Sequence, residues 1–250
     1  MLELYHAEPV ANSMKVLLCL KEKQIEFVSH YVDLLRFEQH QPGFLAINPN
    51  GQVPVLVHDG NIITESTVIN EYLEDLFPEV RLRPEDPVER AQMRIWNKFV
   101  DEYFCPALSM IGWHTMVRKV AQRLKGPQLQ EMLAHIPLKE QRDKWRESAA
   151  QAWTEEQLED WRRRVRSSIE RMEQGLRGPW MLGEQFTLAD VSLFAMLIRM
   201  PEYYADMVND RDSPRVIEWY GRMMSRPAVK ETLAIRPPAD AERSRRSVDR

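Results

Sequence analysis

Hydrophobic and polar positions change period several times within the first 76 residues. Leu2–His6 alternates as a short strand does, and Phe27–Val32 has the β-branched and aromatic residues that strands favour. Between them, Ser13–Lys23 places its apolar residues on one helical stripe, and Phe37–Ile47 has a weaker helical pattern. The pattern predicts a strand, a helix, a second strand and a helical turn, in that order.

A hairpin and a helix are predicted next. Two apolar runs, 52–57 and 61–64, flank Asp59 and Gly60, a pair typical of a two-residue β-turn. Residues 65–77 then repeat apolar positions three and four apart, which predicts a helix. This order of elements predicts an α/β fold in which helices pack on a small mixed sheet.

From residue 86 onward the pattern is helical almost throughout. Asp86 is a helix N-cap followed by a proline, and capping boxes begin two further helices at Thr154–Gln157 and Thr187–Asp190. Pro106 interrupts the first of these helices and should kink it. The second part of the chain is therefore predicted to be all-helical.

The two parts are separated by a proline-rich segment, which does not continue a helix or a central strand. We divide the chain into an N-terminal domain at 1–76, a linker at 77–86, a helical domain at 87–235 and a tail at 236–250. The tail has five arginines, three acidic residues and one large apolar residue, a composition that predicts disorder.

Composition and charge exclude several classes of protein. The longest uncharged apolar stretch, Val191–Ile198, is much shorter than the roughly 20 residues of a membrane span. A net charge of −4 gives no basic footprint for nucleic acid. The N-terminus lacks the basic region of a signal peptide, and the two cysteines do not form a disulfide framework. We expect a cytoplasmic protein that binds neither nucleic acid nor a membrane.

Val53–Pro54 and Glu65–Ser66 are the strongest signals of chemistry. Pro54 lies in a strand-like run, which fits either an edge strand or a cis-proline that turns the N–H and C=O of Val53 outward toward an extended peptide. At a helix start, free amides and the Ser66 hydroxyl suit a carboxylate, while Glu65 suits an ammonium group. Together they predict a site for a peptide-like ligand with a free amino-acid head group.

With these motifs, the chain resembles the cytosolic glutathione transferases over nearly its whole length. The segments that carry this resemblance are LYHAEPVANSMKV, NPNGQVPVL, ITESTVINEYLE and TLADVSLF. A narrower resemblance, to bacterial glutathione-dependent β-etherases, rests on FEQH, TESTVINEYLEDLFPE, RPEDPVERAQMRIWNKFVDEYFC and IGWH. The resemblance implies a thioredoxin-like glutathione-binding domain followed by an all-α domain that binds the electrophile.

The resemblance also implies that Ser13 and Asn12 activate the glutathione sulfur. Neither is a base at neutral pH, so their role would be to stabilise the thiolate; capping the helix is the other role open to Ser13. Some transferases use a serine three residues earlier, where this chain has Val10. Others use a tyrosine at the end of the first strand, near Tyr5, for which we favour a core role. Cys19 is interpreted as an inert core residue.

By position, the resemblance assigns these residues to glutathione binding: Gln39, His40, Gln52, Val53, Pro54, Glu65 and Ser66. The backbone of Val53 would pair with the cysteinyl unit, while Glu65 and Ser66 would hold the γ-glutamyl end. The other polar side chains would reach the glycyl carboxylate, although Gln39 and His40 also fit a helix surface.

The electrophile is expected on the helical domain. Trp113, His114 and Trp145 are the candidates, with Trp153 beside them in the long connection 120–153. His114 could assist a leaving phenoxide, or serve a surface or structural role. The histidines show no metal-ligand spacing, so no metal is expected. The resemblance implies glutathione as the co-substrate.

These expectations combine into a β-etherase reaction. Glutathione thiolate would attack the carbon that bears an aryl ether next to a ketone, as in lignin fragments, and phenoxide would leave. The resemblance also implies a homodimer. A glutathione-dependent disulfide oxidoreductase, a general glutathione transferase and a non-catalytic ligand-binding protein of the same fold are the alternatives.

Overall fold

The computed structural model describes residues 1–124, 126–150, 153–198, 200 and 204–238. All structural statements below concern these residues. The predicted tail from residue 239 onward lies outside them.

The sheet has four described strands: β1 Leu2–His6, β2 Val28–Tyr31, β3 Val55–His58 and β4 Asn61–Ile63. Their order is β2-β1-β3-β4, with β1 and β2 parallel and the other neighbours antiparallel. β3 is therefore an inner strand. A tight turn joins β3 to β4, because Asp59 and Gly60 both have positive φ, as a two-residue hairpin requires.

Three helices pack with this sheet: α1 Ala11–Glu22, α2 Pro42–Leu45 and α3 Ser66–Leu76. The weak helical pattern after β2 forms two 3₁₀ turns, Leu34–Arg36 and Glu38–His40, before α2. α1 is buried continuously from its third to its tenth residue, because it packs against both α3 and the helical part of the chain.

The helical part contains α4 Pro87–Phe99, α5 Cys105–Gly112, α6 Arg118–Arg123, α7 Gly126–His135, α8 Lys139–Ala150, α9 Glu155–Gly175, α10 Leu188–Leu197, α11 Pro214–Ser225 and α12 Pro227–Ala234. Both predicted capping boxes are confirmed at the starts of α9 and α10, and Asp86 caps α4. The connection 120–153 was predicted to be helical without bounds for separate helices, and it contains helices α7 and α8 and part of α6.

Pro106 does not end the first helical run. A π-helical segment, Val100–Phe104, precedes it, and the α-helix resumes at Cys105 with Pro106 in its first turn. A proline is tolerated there because the N–H it lacks would have no regular intrahelical partner. A second π-helical segment, Trp113–Val117, connects α5 to α6.

A buried polar cluster organises the helical core. The Asp190 carboxylate accepts hydrogen bonds from the backbone N–H of Met181 at 2.8 Å and from the indole N–H of Trp219 at 2.9 Å. Burial raises the pKa of Asp190 despite these donors. The helix that has Asp190 in its first turn, α10, contacts α1 and so supports the element that carries Asn12 and Ser13.

The segment between α3 and α4 has no helix or strand, yet hydrogen bonds anchor it. The buried ammonium of Lys23 donates to Glu74 at 2.6 Å and to the carbonyl of Val80 at 2.5 Å. Glu74 also accepts from the N–H of Leu82. The exact domain limits stay predictions. None of the described helices has the length and apolar character needed to cross a bilayer.

Candidate active site

A cavity of about 420 Å³ lies between the sheet part and the helical part, a size within the range of small-molecule sites. Most of the residues predicted for the site line it: Asn12, Gln39, Gln52, Val53, Pro54, Glu65, Ser66, Trp113 and Trp145. Other lining residues were not predicted: Leu34, Leu35, Asn48, Gly51, Thr64, Val117 and Gln141. Ser13, His40 and His114 are not among the lining residues.

The Val53–Pro54 peptide bond is cis. Pro54 directly precedes β3, which is an inner strand, so the edge-strand alternative is wrong. Among the described residues, no group pairs with the backbone N–H or C=O of Val53. The Asn48 side chain donates to the carbonyl of Gln52 at 2.8 Å and so holds the preceding turn. An extended peptide can therefore pair with Val53 at the wall of the cavity.

The start of α3 forms the next part of the wall. Glu65 precedes this helix with φ +66° and ψ +110°, a conformation that strains any residue other than glycine. Its carboxylate is exposed and has no ion-pair partner within the described part of the chain. Ser66 is buried and is the first residue of the helix. Free helix amides, a hydroxyl and a carboxylate thus meet at one point, as an amino-acid head group requires.

Asn12 and Ser13 are placed differently at the start of α1. Asn12 lines the cavity, and its side-chain Oδ1 is buried with no hydrogen-bond partner in the described structure. Ser13 is only 4% exposed, and its Oγ accepts the backbone N–H of Ala7 at 3.1 Å. Ala11, which precedes Asn12, has φ +47°, so the backbone is strained at this edge of the cavity too. Asn12 is the better placed of the two to meet a thiol.

Gln39 and His40 occupy the second 3₁₀ turn. Gln39 lines the cavity, and its Oε1 is buried without a partner, so this oxygen can accept from a donor group of a ligand, whereas a carboxylate would need the Gln39 Nε2. His40 is buried beneath the turn at Gly51, where a Cβ would come within 2.5 Å of the His40 Nδ1. Gly51 is therefore required both by this contact and by its φ of +64°. His40 supports the turn that precedes Val53.

Burial lowers the pKa of His40 to about 4, so the ring is neutral at pH 7 and brings no positive charge to the site. An unfolded histidine has a pKa of about 6.5, so between this pH and pH 4 the unfolded chain takes up a proton that the folded chain does not. The free energy of unfolding is therefore unaffected by this residue above pH 6.5 and decreases as pH falls toward 4. We expect His40→Gln to reduce the slope of unfolding free energy against pH in this window by as much as about 1.4 kcal/mol per pH unit. Urea unfolding from pH 7 to pH 4 measures this slope.

The same substitution at the exposed His135 is the control and should leave the slope unchanged. Burial also lowers the pKa of His6, so part of the wild-type slope will persist in the His40 variant. Equal slopes for wild type and His40→Gln would contradict the expectation.

Aromatic side chains form the opposite wall. Trp113 and Trp145 line the cavity with their rings 5.2 Å apart at 85°. Gln141 lies one turn before Trp145 on α8 and faces the same cavity. The spacing of four residues between Gln141 and Trp145 could have indicated from the sequence that both side chains lie on the same helix face. His114 lies 6.4 Å from the ring of Trp153, outside the cavity lining, and burial lowers its pKa.

Tyr5 and the cysteines are outside the cavity lining. Tyr5 stacks on His30 at 4.4 Å and packs against Phe44, which is the core role favoured from the sequence. Cys19 is fully buried, and burial raises the pKa of its thiol. Burial also raises the pKa of Cys105. Neither cysteine offers a reactive thiolate to a ligand in the cavity.

The fold and this arrangement define a class of protein. The glutathione S-transferase N-terminal domain family matches residues 11–76, and the glutathione S-transferase C-terminal domain family matches residues 151–222. The chain therefore belongs to the glutathione transferase family, as its similarity to relatives also shows. Its thioredoxin-like sheet domain followed by a helical domain is the fold of that family.

Protein LigF of Sphingobium sp. (strain NBRC 103272 / SYK-6) is 44% identical over 237 residues, which cover 92% of this chain and 92% of LigF. The crystal structure of the β-etherase LigF from strain SYK-6 has a TM-score of 0.88 with 42% identity, covering 92% of this chain and 98% of that one. A glutathione transferase homologue from Sulfitobacter, solved with bound glutathione, has a TM-score of 0.67 and 26% identity, with 92% and 96% covered.

Proposed function

We propose that this protein is a glutathione-dependent β-etherase that cleaves β-aryl ether ketones of the kind found in lignin fragments. The observation that carries the proposal is the composition of one cavity. A cis-proline turn and a helix start suited to glutathione form one wall, and two tryptophans form the other. The similarity to the β-etherase LigF supports the same reaction.

Glutathione would lie along the sheet side of the cavity. Its cysteinyl unit would pair with the backbone of Val53, and its γ-glutamyl head group would bind at Glu65 and Ser66. Gln39 and Gln52 would reach the glycyl carboxylate. This orientation directs the sulfur toward the start of α1, where Asn12 can donate an amide hydrogen bond to the thiolate.

The reaction is a displacement at carbon. The thiolate forms a C–S bond at the carbon that bears the aryl ether, the C–O bond breaks, and its electron pair leaves with the phenoxide oxygen. The products are a glutathione thioether of the ketone and a phenol, after phenoxide takes a proton from solvent. Thiolate stabilisation and alignment of sulfur with the C–O bond are the main contributions of the protein.

Phenol release tests the proposal directly. The protein is incubated with glutathione and a β-aryl ether ketone whose phenol is chromogenic, with omission of glutathione as the control. We expect glutathione-dependent phenol release together with one equivalent of thioether. Glutathione binding without release would contradict the β-etherase assignment and favour a disulfide oxidoreductase or a non-catalytic protein.

Gln141 is expected to bind the ketone oxygen or the departing ether oxygen. It is the polar side chain that α8 contributes to the cavity, and no described residue hydrogen-bonds to it. We expect Gln141→Leu to lower kcat/KM for the ether about tenfold, the effect of one lost hydrogen bond of about 1.4 kcal/mol. The glutathione Kd from calorimetry should not change. Weakened glutathione binding would instead place Gln141 on the glutathione side.

The disulfide oxidoreductase alternative lacks a protein thiol at the cavity. Both cysteines have pKa values raised by burial, and neither lines the cavity. Disulfide exchange would therefore rely on bound glutathione alone. Comparing reduction of a small disulfide with ether cleavage under the same conditions separates the two activities.

We also propose a cytoplasmic homodimer. Both cysteines are free, which agrees with a reducing compartment. Exposed apolar side chains on β4, α3 and α4, namely Ile62, Val68, Val88 and Ile95, offer a surface for a second copy. Sedimentation velocity of the wild type and of Val68→Glu tests this surface, with a shift to monomer expected for the variant.

A further inference from the structure

A second hydrophobic cluster lies beside the cavity, apart from the main core. Its buried members are Ala121, Leu133, Ile136 and Trp145, and the partly buried residues around them come from positions 113–149. Phe37 is the exception. Among the described members of this cluster it alone comes from the sheet part of the chain. One aromatic side chain therefore extends from the glutathione side into the helices of the electrophile side.

Phe37 contacts the aromatic wall from behind. Its ring lies 4.9 Å from that of Trp145 at 61°, an edge-to-face arrangement, and Trp145 contacts Trp113 in the same manner. Trp145 and Trp113 line the cavity, whereas Phe37 does not. Phe37 therefore acts on a ligand indirectly, and Trp145 is the cavity-lining side chain that its ring contacts.

The backbone holds Phe37 in this place. Phe37 has φ +59° and ψ +29°, a left-handed conformation uncommon for an aromatic residue. Hydrogen bonds define the turns on both sides: Asp33 accepts the N–H of Leu35 at 2.9 Å, and Glu38 accepts the N–H of Asp33 at 2.7 Å. A strained conformation persists where its surroundings determine it, and such positions cluster at ligand sites.

The residues on either side of Phe37 in the chain line the cavity. Leu34 and Leu35 precede it and line the cavity, and Gln39 follows it as a candidate glutathione ligand. We propose that Phe37 is a positioning residue for specificity. It fixes Trp145 relative to the segment 34–39. The space between Trp145 and this segment, called the slot below, accepts the second aromatic ring of a bulky electrophile. This inference rests on the proposed β-etherase function.

Two substrates that differ in one ring test the slot. Phenoxyacetophenone has an aryl group on each side of the ether-bearing carbon, whereas phenoxyacetone lacks the ring on the ketone. For Phe37→Ala we expect kcat/KM to fall about tenfold for the first substrate and to change little for the second. Phe37→Tyr keeps the ring and should restore the wild-type ratio.

Phe77→Ala is the matched control, because Phe77 is also half-buried but packs against the main core, away from the cavity. It should lower Tm without changing the ratio of the two substrates. A Phe37→Ala protein with a lower Tm and an unchanged ratio would overturn the proposal, and so would an equal loss for both substrates.

A binding measurement separates failure of this inference from failure of the proposed function. Calorimetry with the glutathione thioether that forms from phenoxyacetophenone, which has lost phenoxide and retains the ring on the ketone, needs no turnover. If the wild type binds this compound about tenfold more tightly than Phe37→Ala but cleaves neither ether, the slot stands and the β-etherase assignment falls. If wild type and Phe37→Ala bind it equally, the role of Phe37 is wrong whatever the activity.

Discussion

Replacing Asn12 by leucine should lower kcat/KM for the β-aryl ether about 100-fold at pH 7. Asn12 is the polar side chain at the start of α1 that lines the cavity, and its amide Nδ2 is the group that would donate to the thiolate. Loss of one donor to a developing or resident anion costs about 10²–10³ in rate. An unassisted thiol with a pKa of about 8.5 is only about 3% thiolate at pH 7, so lost ionisation accounts for up to about 30-fold of this decrease.

The pH dependence identifies the cause of this loss. If Asn12 acts on the thiol pKa, the rates of wild type and Asn12→Leu should converge as pH rises toward 9, because glutathione then ionises without help. The measurement is kcat/KM from pH 6 to pH 9, supported by thiolate absorbance of the bound glutathione. A loss that stays constant across this range would mean that Asn12 orients the sulfur and does not change its ionisation.

Ser13→Ala is the comparison that decides between the two neighbours. The Ser13 oxygen accepts the buried N–H of Ala7, so removing it leaves that donor unpaired and costs about 1–3 kcal/mol of stability. We expect a lower Tm with a smaller effect on the rate than Asn12→Leu produces. If Ser13→Ala shows the large pH-dependent loss and Asn12→Leu does not, Ser13 is the activating residue.

The residues on the sheet side of the cavity, where we propose that glutathione binds, could be predicted from the sequence because each pair is local. Val53 and Pro54 are adjacent, and so are Glu65 and Ser66, so each pair defines its own geometry at one turn or one helix start. The choice between Asn12 and Ser13 is different. Adjacent residues on a helix point about 100° apart, and which of them faces the cavity depends on how the whole helix packs.

The electrophile side was harder to predict, because its wall depends on contacts between distant segments. Trp113 and Trp145 were expected there from residue type alone. Gln141 was missed because the individual helices within 120–153 were not predicted, and these helices pack in a separate cluster beside the main core. Phe37 joins that cluster from about 80 residues away along the chain, and no local pattern indicates such a contact.

The second large effect is expected at Glu65. Replacing Glu65 by alanine should raise the glutathione KM about 10- to 100-fold and leave kcat nearly unchanged, because hydrogen bonds to charged groups contribute about 1.5–3 kcal/mol. The carboxylate has no ion partner in the described structure and lines the cavity, so the ammonium of the γ-glutamyl unit is the cation it would bind. Initial rates at varied glutathione and saturating ether measure the change.

Glu65→Gly separates the side chain from the backbone. Glu65 has φ +66°, so glycine removes the side chain and relieves the strain, whereas alanine removes the side chain and keeps the strain. We therefore expect Glu65→Gly to unfold at a higher temperature than Glu65→Ala, while both bind glutathione equally weakly. A glycine variant that binds glutathione as the wild type does would show that the helix amides and Ser66 hold the head group without a carboxylate. On the proposed role, an unfavourable conformation is tolerated at this position because the Glu65 carboxylate supplies the negative charge that would bind the ammonium group of the ligand.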